Sequence, residues 1–583
     1  MNAQWKHGLP QTNHRICFGI FILAVASVGS VRGHDGPVLK TDTTVLSRNP
    51  PVCPRWALRP WVWEDNDNTQ KGCEGLVKSY LSRDIPVGVV VIYSPWETAY
   101  NSLEWDRKTY PNPQTMINQF HSKGIKVLLW LNGFVSTDSP DYEYVRKQGY
   151  ATDGGRRRNW WQGSGVHVDL TNTEATQWWH RKMDGILRMG IDGWMVDQSV
   201  HFLEETVQSS IGTMTKNQYK PYYYADIFDH TVRVNPHAVI VARAFSEPDQ
   251  GDFAAPISKC TVTWGGDHHG DWAGLNRQLE TLYRAAEAGY GAPCFAVGGS
   301  IGAAPTKDEL IRQVELGALM PVMSNGGVNG GLREHLPWFH DEQTVQVYQY
   351  YATLHNELLP YIFSYGVESN LSGISIVRQP DKQRRQHFLG EELFVSTITT
   401  RTEEKEIVLP EGLGWVDYWN EGRICQGGST IIYKVPLERY PLFIRVGSII
   451  PMAVETSITN HGDETSTGKQ TLLIYPFGKS SFVYHRPTGE GIAYSDVTIQ
   501  VDEGAGCIQV AGTHKGSYRL RVKSFRRPEA VEGSDSWHYD ERARYVVADK
   551  DGTSFRIKIS GLSGYFRLLS HQAPNTARRK KMN

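Results

Sequence analysis

The sequence predicts an α/β protein: a (β/α)₈ barrel followed by two C-terminal β-sandwich domains. From about Trp56 to about Tyr365, short continuous apolar runs alternate with longer stretches of helical period, the pattern of parallel strands buried on both faces by crossover helices. Such alternation fits a doubly wound sheet or a barrel. Its length, about three hundred residues, and the lack of a Gly-rich phosphate loop after the first strand favour the barrel. After about residue 380 the runs become short, β-branched and separated by Gly, Pro, Asn and Asp, which is sandwich texture.

The barrel strands are expected at Val87–Tyr93, Ile125–Leu131, Ile191–Val196, Ala238–Arg243 and Lys259–Trp264. Between them, Asn112–Gly124 and Thr173–Gly190 have amphipathic spacing and close on glycine, a usual helix stop. The second helix opens on Asn172 and Thr173, either of which can cap it. Sandwich strands are expected within "ELFVSTITT", "EIVLP", "STIIYKVP", "TLLIYP" and "SYRLRVKS". The resulting division is 1–33 leader, 34–54 extension, 55–378 barrel, 379–455 proximal sandwich, 456–571 distal sandwich and 572–583 basic tail.

At 583 residues the chain exceeds the size of one core, so about two to four domains are expected. Lys plus Arg is 61 and Asp plus Glu is 62, a balance that gives no long-range field for nucleic acid or an anionic membrane. The partner is therefore a neutral or small molecule. Many of the 18 Trp lie between Trp56 and Trp272; flat rings suit the apolar faces of sugars, although large core residues have the same composition. Basic residues precede the apolar run Ile16–Gly29, which reads as a secretory signal peptide, with a signal anchor as the alternative. Without Cys17 six cysteines remain, consistent with an extracytoplasmic, oxidising compartment, and Cys53 with Cys73 is the first pair to test. No clustered Cys/His spacing suggests a metal, and no cofactor is expected. Asn370-Leu371-Ser372 is a sequon.

In a barrel the carboxyl ends of the strands converge on one face, where sites form. Asp197 follows the strand run "GWMV" directly, and Asp267 follows another in "TWGGDHHGDW". A lone acid after a strand is more often a cap or an ion-pair partner. Two on neighbouring strand ends, among Trp194, Trp264 and Trp272 with Arg243 nearby, suit glycosidic bond cleavage: one carboxyl attacks the anomeric carbon and the other protonates the leaving oxygen. Arg243 would favour the ionised form of Asp197, and a dry wall of Trp264 and Trp272 the protonated form of Asp267. Trp96, Trp130, Asn132 and Trp194 are candidate sugar-binding residues.

The chain resembles glycoside hydrolase family 31 over about Pro54 to Met452, through "SPWETAYNSLEWDRKTYPNPQTMINQFHSKGIKVLLWLN", "VDLTNTEATQWWH", "GIDGWMVD", "ARAF", "WGGDHHGDW", "LLPYIFS" and "YPLFIRVGSIIPM" in matching order. The resemblance implies a retaining enzyme for α-linked sugars, built as a barrel with proximal and distal sandwiches. It implies Asp197 as nucleophile, Asp267 as general acid/base, and Arg243 and Trp264 lining the sugar subsite. In retaining enzymes the carboxyls stand about 5 to 5.5 Å apart.

Three departures concern recognition. The acid that many members carry at the end of the second strand is replaced by Tyr93 and Ser94, Ser300 stands for an Asp, and Asn325 for a His, so the resemblance makes Tyr93, Ser300 and Asn325 candidate sugar-binding residues as well. Glucose specificity therefore does not follow, because a site built for one hydroxyl pattern rejects others. The β-sandwich that members commonly carry before the barrel has no counterpart here, which implies a more open site or a cleft completed by other loops or another subunit. Residues 140–165, with "GGRRRNWWQGSG", are a candidate loop over the site, and Arg156, Arg157 and Arg158 read as a solvated turn rather than an anion site. The function expected is a secreted retaining α-glycosidase acting on an oligosaccharide or glycoside. A transglycosylase, or a binding protein that has lost turnover, is the alternative.

Overall fold

The computed structural model describes residues 49–64, 67–244, 255–327, 333–412 and 414–565. The expected leader and basic tail lie outside them. Eight parallel strands close a barrel: β1 (Trp61–Trp63), β2 (Val89–Ile92), β3 (Lys126–Leu131), β4 (Gly193–Val196), β5 (Val239–Arg243), β6 (Val262–Trp264), β7 (Pro293–Val297) and β8 (Val322–Asn325). Their neighbours run in chain order, and β1 closes on β8 through Trp61↔Ser324 and Val62↔Asn325. Nearly every strand residue is buried, as parallel strands covered on both faces require. The five expected strands all lie in the barrel. β1, β7 and β8 go beyond that expectation: each is three to five residues long, and β1 follows Pro60 while β7 opens on Pro293, so a periodicity window has little to register.

The helices between strands are α1 (Gln70–Leu81), α2 (Pro113–Ser122), α3 (Thr173–Leu187), α4 (Lys216–Val234), α5 (Trp272–Ala288), α6 (Lys307–Ala318), α7 (Glu342–Glu357) and α8 (Leu359–Ser372). α3 shows the local logic. Asn172 caps it by accepting from the backbone N–H groups of Glu174 and Ala175 at 2.9 and 3.2 Å, and Ala175, Trp178, Trp179, Met183, Ile186 and Leu187 form one buried stripe at spacings of three and four. Gly190, at φ +94, turns the chain into β4. The β3–α3 connection is long and carries its own antiparallel sheet, ordered Phe134–Ser136, Gly163–His167, Arg158–Trp160. That is the loop expected over the site. Arg158 is not a solvated turn residue, since its side chain is largely buried between Asp153 and Glu204.

After the barrel in the chain, a six-stranded antiparallel sheet between residues 377 and 445, with a two-stranded ribbon of Glu404–Val408 and Thr430–Lys434, forms the proximal unit. The distal sheet of eight strands has a second hydrophobic core and is built on the long strands Cys507–Lys523 and Tyr545–Ser560. Ile449–Met452 pairs with Gln470–Ile474, within the distal sheet. Cys53 and Cys73 are unpaired, and all six described cysteines are free. Cys73 instead packs its sulfur 3.7 Å from the Tyr110 hydroxyl. The sequon lies at the end of α8, where the Asn370 side-chain nitrogen donates to the Pro50 carbonyl at 2.8 Å.

Candidate active site

Six of the eight strands deliver their last residue, or one within three residues beyond it, to the cavity at the barrel mouth. Trp63 ends β1, Tyr93 follows β2, Asp197 follows β4, Arg243 ends β5, and Asp267 and Ser300 stand three residues past β6 and β7. With Gln198, Ile301 and Trp161 from the β3–α3 insertion they line a cavity of about 220 Å³.

Asp197 is almost wholly buried and held on every side. Its Oδ1 accepts from Arg243 Nε at 2.8 Å and from the Gln198 backbone N–H at 2.7 Å, and its Oδ2 has one long contact, Trp130 Nε1 at 3.3 Å. Its backbone is pinned as well: its N–H donates to the Leu131 carbonyl, and its carbonyl accepts from the Tyr223 hydroxyl. Oδ1 is thus saturated and Oδ2 is the freer oxygen.

Asp267 differs. About a third of its side chain (34 %) is exposed, its Oδ2 accepts from Arg243 Nη2 at 2.8 Å and its Oδ1 from the Ser300 hydroxyl at 3.0 Å. Ser300 is fixed in turn by a backbone hydrogen bond to the His268 carbonyl at 2.9 Å. The two acids are not on neighbouring strands, because β5 stands between β4 and β6 and puts Arg243 between the carboxylates. Burial disfavours the guanidinium charge, but Asp197 and Asp267 outweigh it and lift Arg243 above its ordinary range. Its guanidinium carbon lies 4.4 Å from the centre of the Trp264 ring. Gly266, at φ +86, is required twice: for that backbone and because a Cβ would stand 2.8 Å from Arg243 Nη1.

The expected dry wall around Asp267 is therefore absent. Trp264 supports Arg243, and Trp272 borders a separate groove with Asp308 and Arg401. Tyr93, Arg243 and Ser300 reach the cavity as expected. Five other candidates are packed away from it. Trp96 donates to the Trp130 carbonyl at 3.0 Å, Asn132 braces the turn at Phe134 at 2.7 Å, and Asn325 donates to the His335 carbonyl at 2.9 Å. Trp194 is fully buried inside β4, and Trp130 meets Asp197 from behind. Asn325 is the match to the family's histidine and the other four lie within or just after strand segments, and in each case the direction of the side chain, which alternates along a strand, takes it into the packed wall instead. Trp63, Gln198 and Ile301 were missed, as was Trp161, although it lies in the loop expected over the site. Gln198, next to Asp197, and Trp63, at the end of β1, carried the same strand-end signal.

Against known proteins, the profile of the glycosyl hydrolases family 31 TIM-barrel domain matches residues 50–365, and that of the family's C-terminal domain matches residues 360–450. An isomaltosyltransferase from Sporosarcina globispora is 23 % identical over 91 % of this chain and 55 % of its own length. An α-glucosidase 2 from Bacillus thermoamyloliquefaciens is 24 % identical over 84 % of this chain and 65 % of its own. The chain thus spans between about half and two thirds of the length of these relatives. A Flavobacterium johnsoniae dextranase solved with glucose shares the fold, with a TM-score of 0.78 at 18 % identity over 88 % of this chain and 71 % of that one.

Proposed function

This chain belongs to glycoside hydrolase family 31, and from that premise we propose that it is a retaining α-glycosidase with Asp197 as nucleophile and Asp267 as general acid/base. One observation carries the reading: a buried carboxylate and a partly exposed one meet at a single guanidinium in a pocket with room for one pyranose. In this reading Asp197 Oδ2, the less encumbered oxygen, attacks the anomeric carbon. Asp267 gives its proton to the leaving oxygen as the glycosidic bond breaks. Formation of the glycosyl ester consumes the charge on Asp197 and leaves Arg243 with Asp267 alone, which favours the ionised form of Asp267 needed to deprotonate the incoming nucleophile. That nucleophile is water in hydrolysis, or a sugar hydroxyl if the chain is a transferase. The apolar leader at Ile16–Gly29 supports export.

The test is a screen of the purified chain against chromogenic α-glucoside, α-xyloside, α-galactoside and α-N-acetylgalactosaminide, each with and without an added acceptor sugar. Turnover that releases the α-anomer first, and that vanishes in Asp197→Ala, is expected. Turnover unchanged in Asp197→Ala, or sugar binding with no turnover, would sink the reading, and the second result would favour a binding protein. Release of the chromophore with the sugar appearing on the acceptor would identify a transferase.

A further inference from the structure

The cavity is divided by the barrel itself. Its charged and hydrogen-bonding groups, Asp197, Gln198, Arg243, Asp267 and Ser300, come from β4 to β7, on one arc of the mouth, and its aromatic groups come from β1, β2 and the insertion after β3, on the other. On the aromatic arc Trp63 stacks on Tyr93 with centroids 5.2 Å apart, and Gly326 backs the Trp63 indole so closely that a Cβ there would stand 1.9 Å from the ring. In the closed strand order β1 and β2 stand across the mouth from β5 and β6. On the glycosidase reading, on which this inference rests, a pyranose between the arcs presents its leaving oxygen to Asp267. Whatever is joined to that oxygen therefore leaves the cavity on the β6 side.

The chain beyond β6 leads from Asp267 to the separate groove bordered by Trp272. That groove has a volume of about 730 Å³, against about 220 Å³ for the catalytic cavity. One wall belongs to the barrel: Trp272 opens α5 and Asp308 lies in the first turn of α6, and both helices start at the mouth because each follows the carboxyl end of a strand. The other wall belongs to the proximal unit, with Thr400, Arg401 and Thr402 ahead of the ribbon and Lys434 at its end. Trp272 stands five residues beyond Asp267, a span of at most about 18 Å. His269 between them is exposed, as are Ile301, which lines the cavity, and Gly302 and Ala303 after it; the Ala303 N–H donates to His269 Nδ1 at 3.3 Å. The stretch joining cavity and groove therefore runs along the surface.

Both walls are fixed before any ligand arrives. Asn276 Nδ2 donates to the Trp272 carbonyl at 2.7 Å and to the Thr399 carbonyl at 2.9 Å, which ties one wall to the other. Buried Arg312 donates to the Val435 and Pro436 carbonyls at 2.6 and 3.2 Å and holds the chain leaving the ribbon. The charges balance, since Arg312, Arg401 and Lys434 are matched by Asp308, Glu403 and Glu404, so the groove has no net pull on an ion. Arg401 pairs with Asp308 at 3.4 Å but is 85 % exposed, so the pair is weak and its groups are free to take other partners. A partly exposed indole beside threonine hydroxyls, donors and acceptors suits a neutral polyhydroxylated chain, whose C–H faces pack on ring carbon while its hydroxyls use both kinds of partner. We propose that this groove is a second carbohydrate site, holding the sugar units of an oligosaccharide that lie beyond the scissile bond.

Calorimetric titration of the full chain carrying Asp197→Ala, to prevent turnover, compares maltotetraose, isomaltotetraose and stachyose with glucose and galactose. At least one tetrasaccharide should bind about tenfold more tightly than its terminal monosaccharide, the effect of one aromatic anchor. Adding Trp272→Ala should abolish that gain and leave monosaccharide affinity unchanged. Adding Arg401→Ala instead, at an exposed position the fold does not need, should weaken the tetrasaccharide alone by about threefold; this variant decides if Trp272→Ala does not fold. Tetrasaccharides that bind no better than monosaccharides, a gain that survives both substitutions, or a loss shared equally by monosaccharide and tetrasaccharide would overturn the proposal. Failure of the glycosidase reading would look different: the tetrasaccharide would bind through Trp272, but the chain with Asp197 intact would not cleave it.

Discussion

The two arcs of the barrel mouth are made by the same device and held by different physics. On the charged arc all four carboxylate oxygens have partners: Asp197 accepts from Arg243, Gln198 and Trp130, and Asp267 from Arg243 and Ser300. On the aromatic arc positions are set by ring contacts and by the space Gly326 leaves. Hydrogen-bonded charges are preorganised to act on a developing charge, whereas packed rings shape a cavity and hold the ground state. The contrast teaches that a barrel can build chemistry on one side of its mouth and selection on the other.

That division is open to direct attack, and the largest effect belongs to the charged arc. Asp197→Ala should lower kcat by about 10⁴-fold or more, as removal of a covalent nucleophile does, with circular dichroism unchanged; retention of even a tenth of the rate would break the assignment. Asp267→Ala should cost about 10² to 10⁴ on a sugar leaving group and much less on a 2,4-dinitrophenyl glycoside, which departs without a proton. A loss equal on both substrates would mean that Asp267 does not deliver the proton.

Arg243→Met tests how the charged arc stays folded. It leaves two carboxylates against each other, one buried, and should destabilise the chain by about 3–5 kcal/mol in urea unfolding. A neutral result would mean that Asp197 is satisfied without the guanidinium. On the other arc, Gly326→Ala forces a methyl into the Trp63 ring and should cost about 1–3 kcal/mol of stability while raising KM more than it lowers kcat. A pure kcat defect would place Trp63 among the reacting groups and erase the contrast.

The last effect concerns pH. His167 sits in the insertion, with one ring nitrogen 2.8 Å from the Ser199 hydroxyl and the other 2.8 Å from the Val168 carbonyl. Burial pushes its imidazole down to about 4. Buried His387 lies at about 4 for the same reason. The unfolded chain takes up these protons near pH 6.5 and the folded chain only near 4. Their contribution to stability is therefore complete above about pH 6.5, is lost as pH falls through that window, and levels off below about 4. Urea midpoints measured from pH 7 to pH 4 should fall, and His167→Asn should flatten the slope; an unchanged slope would show that His167 charges in the folded state.

Much of this was written in the linear chain. Continuous apolar runs and capped amphipathic helices specify a parallel barrel because the periods of strand and helix differ and burial on both faces leaves no alternation. The positions of Asp197 and Asp267 followed from the rule that strand ends converge, and Tyr93, Arg243 and Ser300 obeyed it. Asn132 and Asn325 obeyed the same rule in sequence and yet point elsewhere, as do Trp96 beyond β2 and Trp194 within β4, since a residue's distance from a strand end does not fix which way its side chain faces. Only the closed barrel decided that β5 stands between the two acids, that Trp264 supports Arg243 rather than drying Asp267, and that Trp63 faces them across the mouth. Those relations join residues tens to hundreds of positions apart, and they exist only once the strand order, the shared cavity and the space at Gly326 have been set by packing.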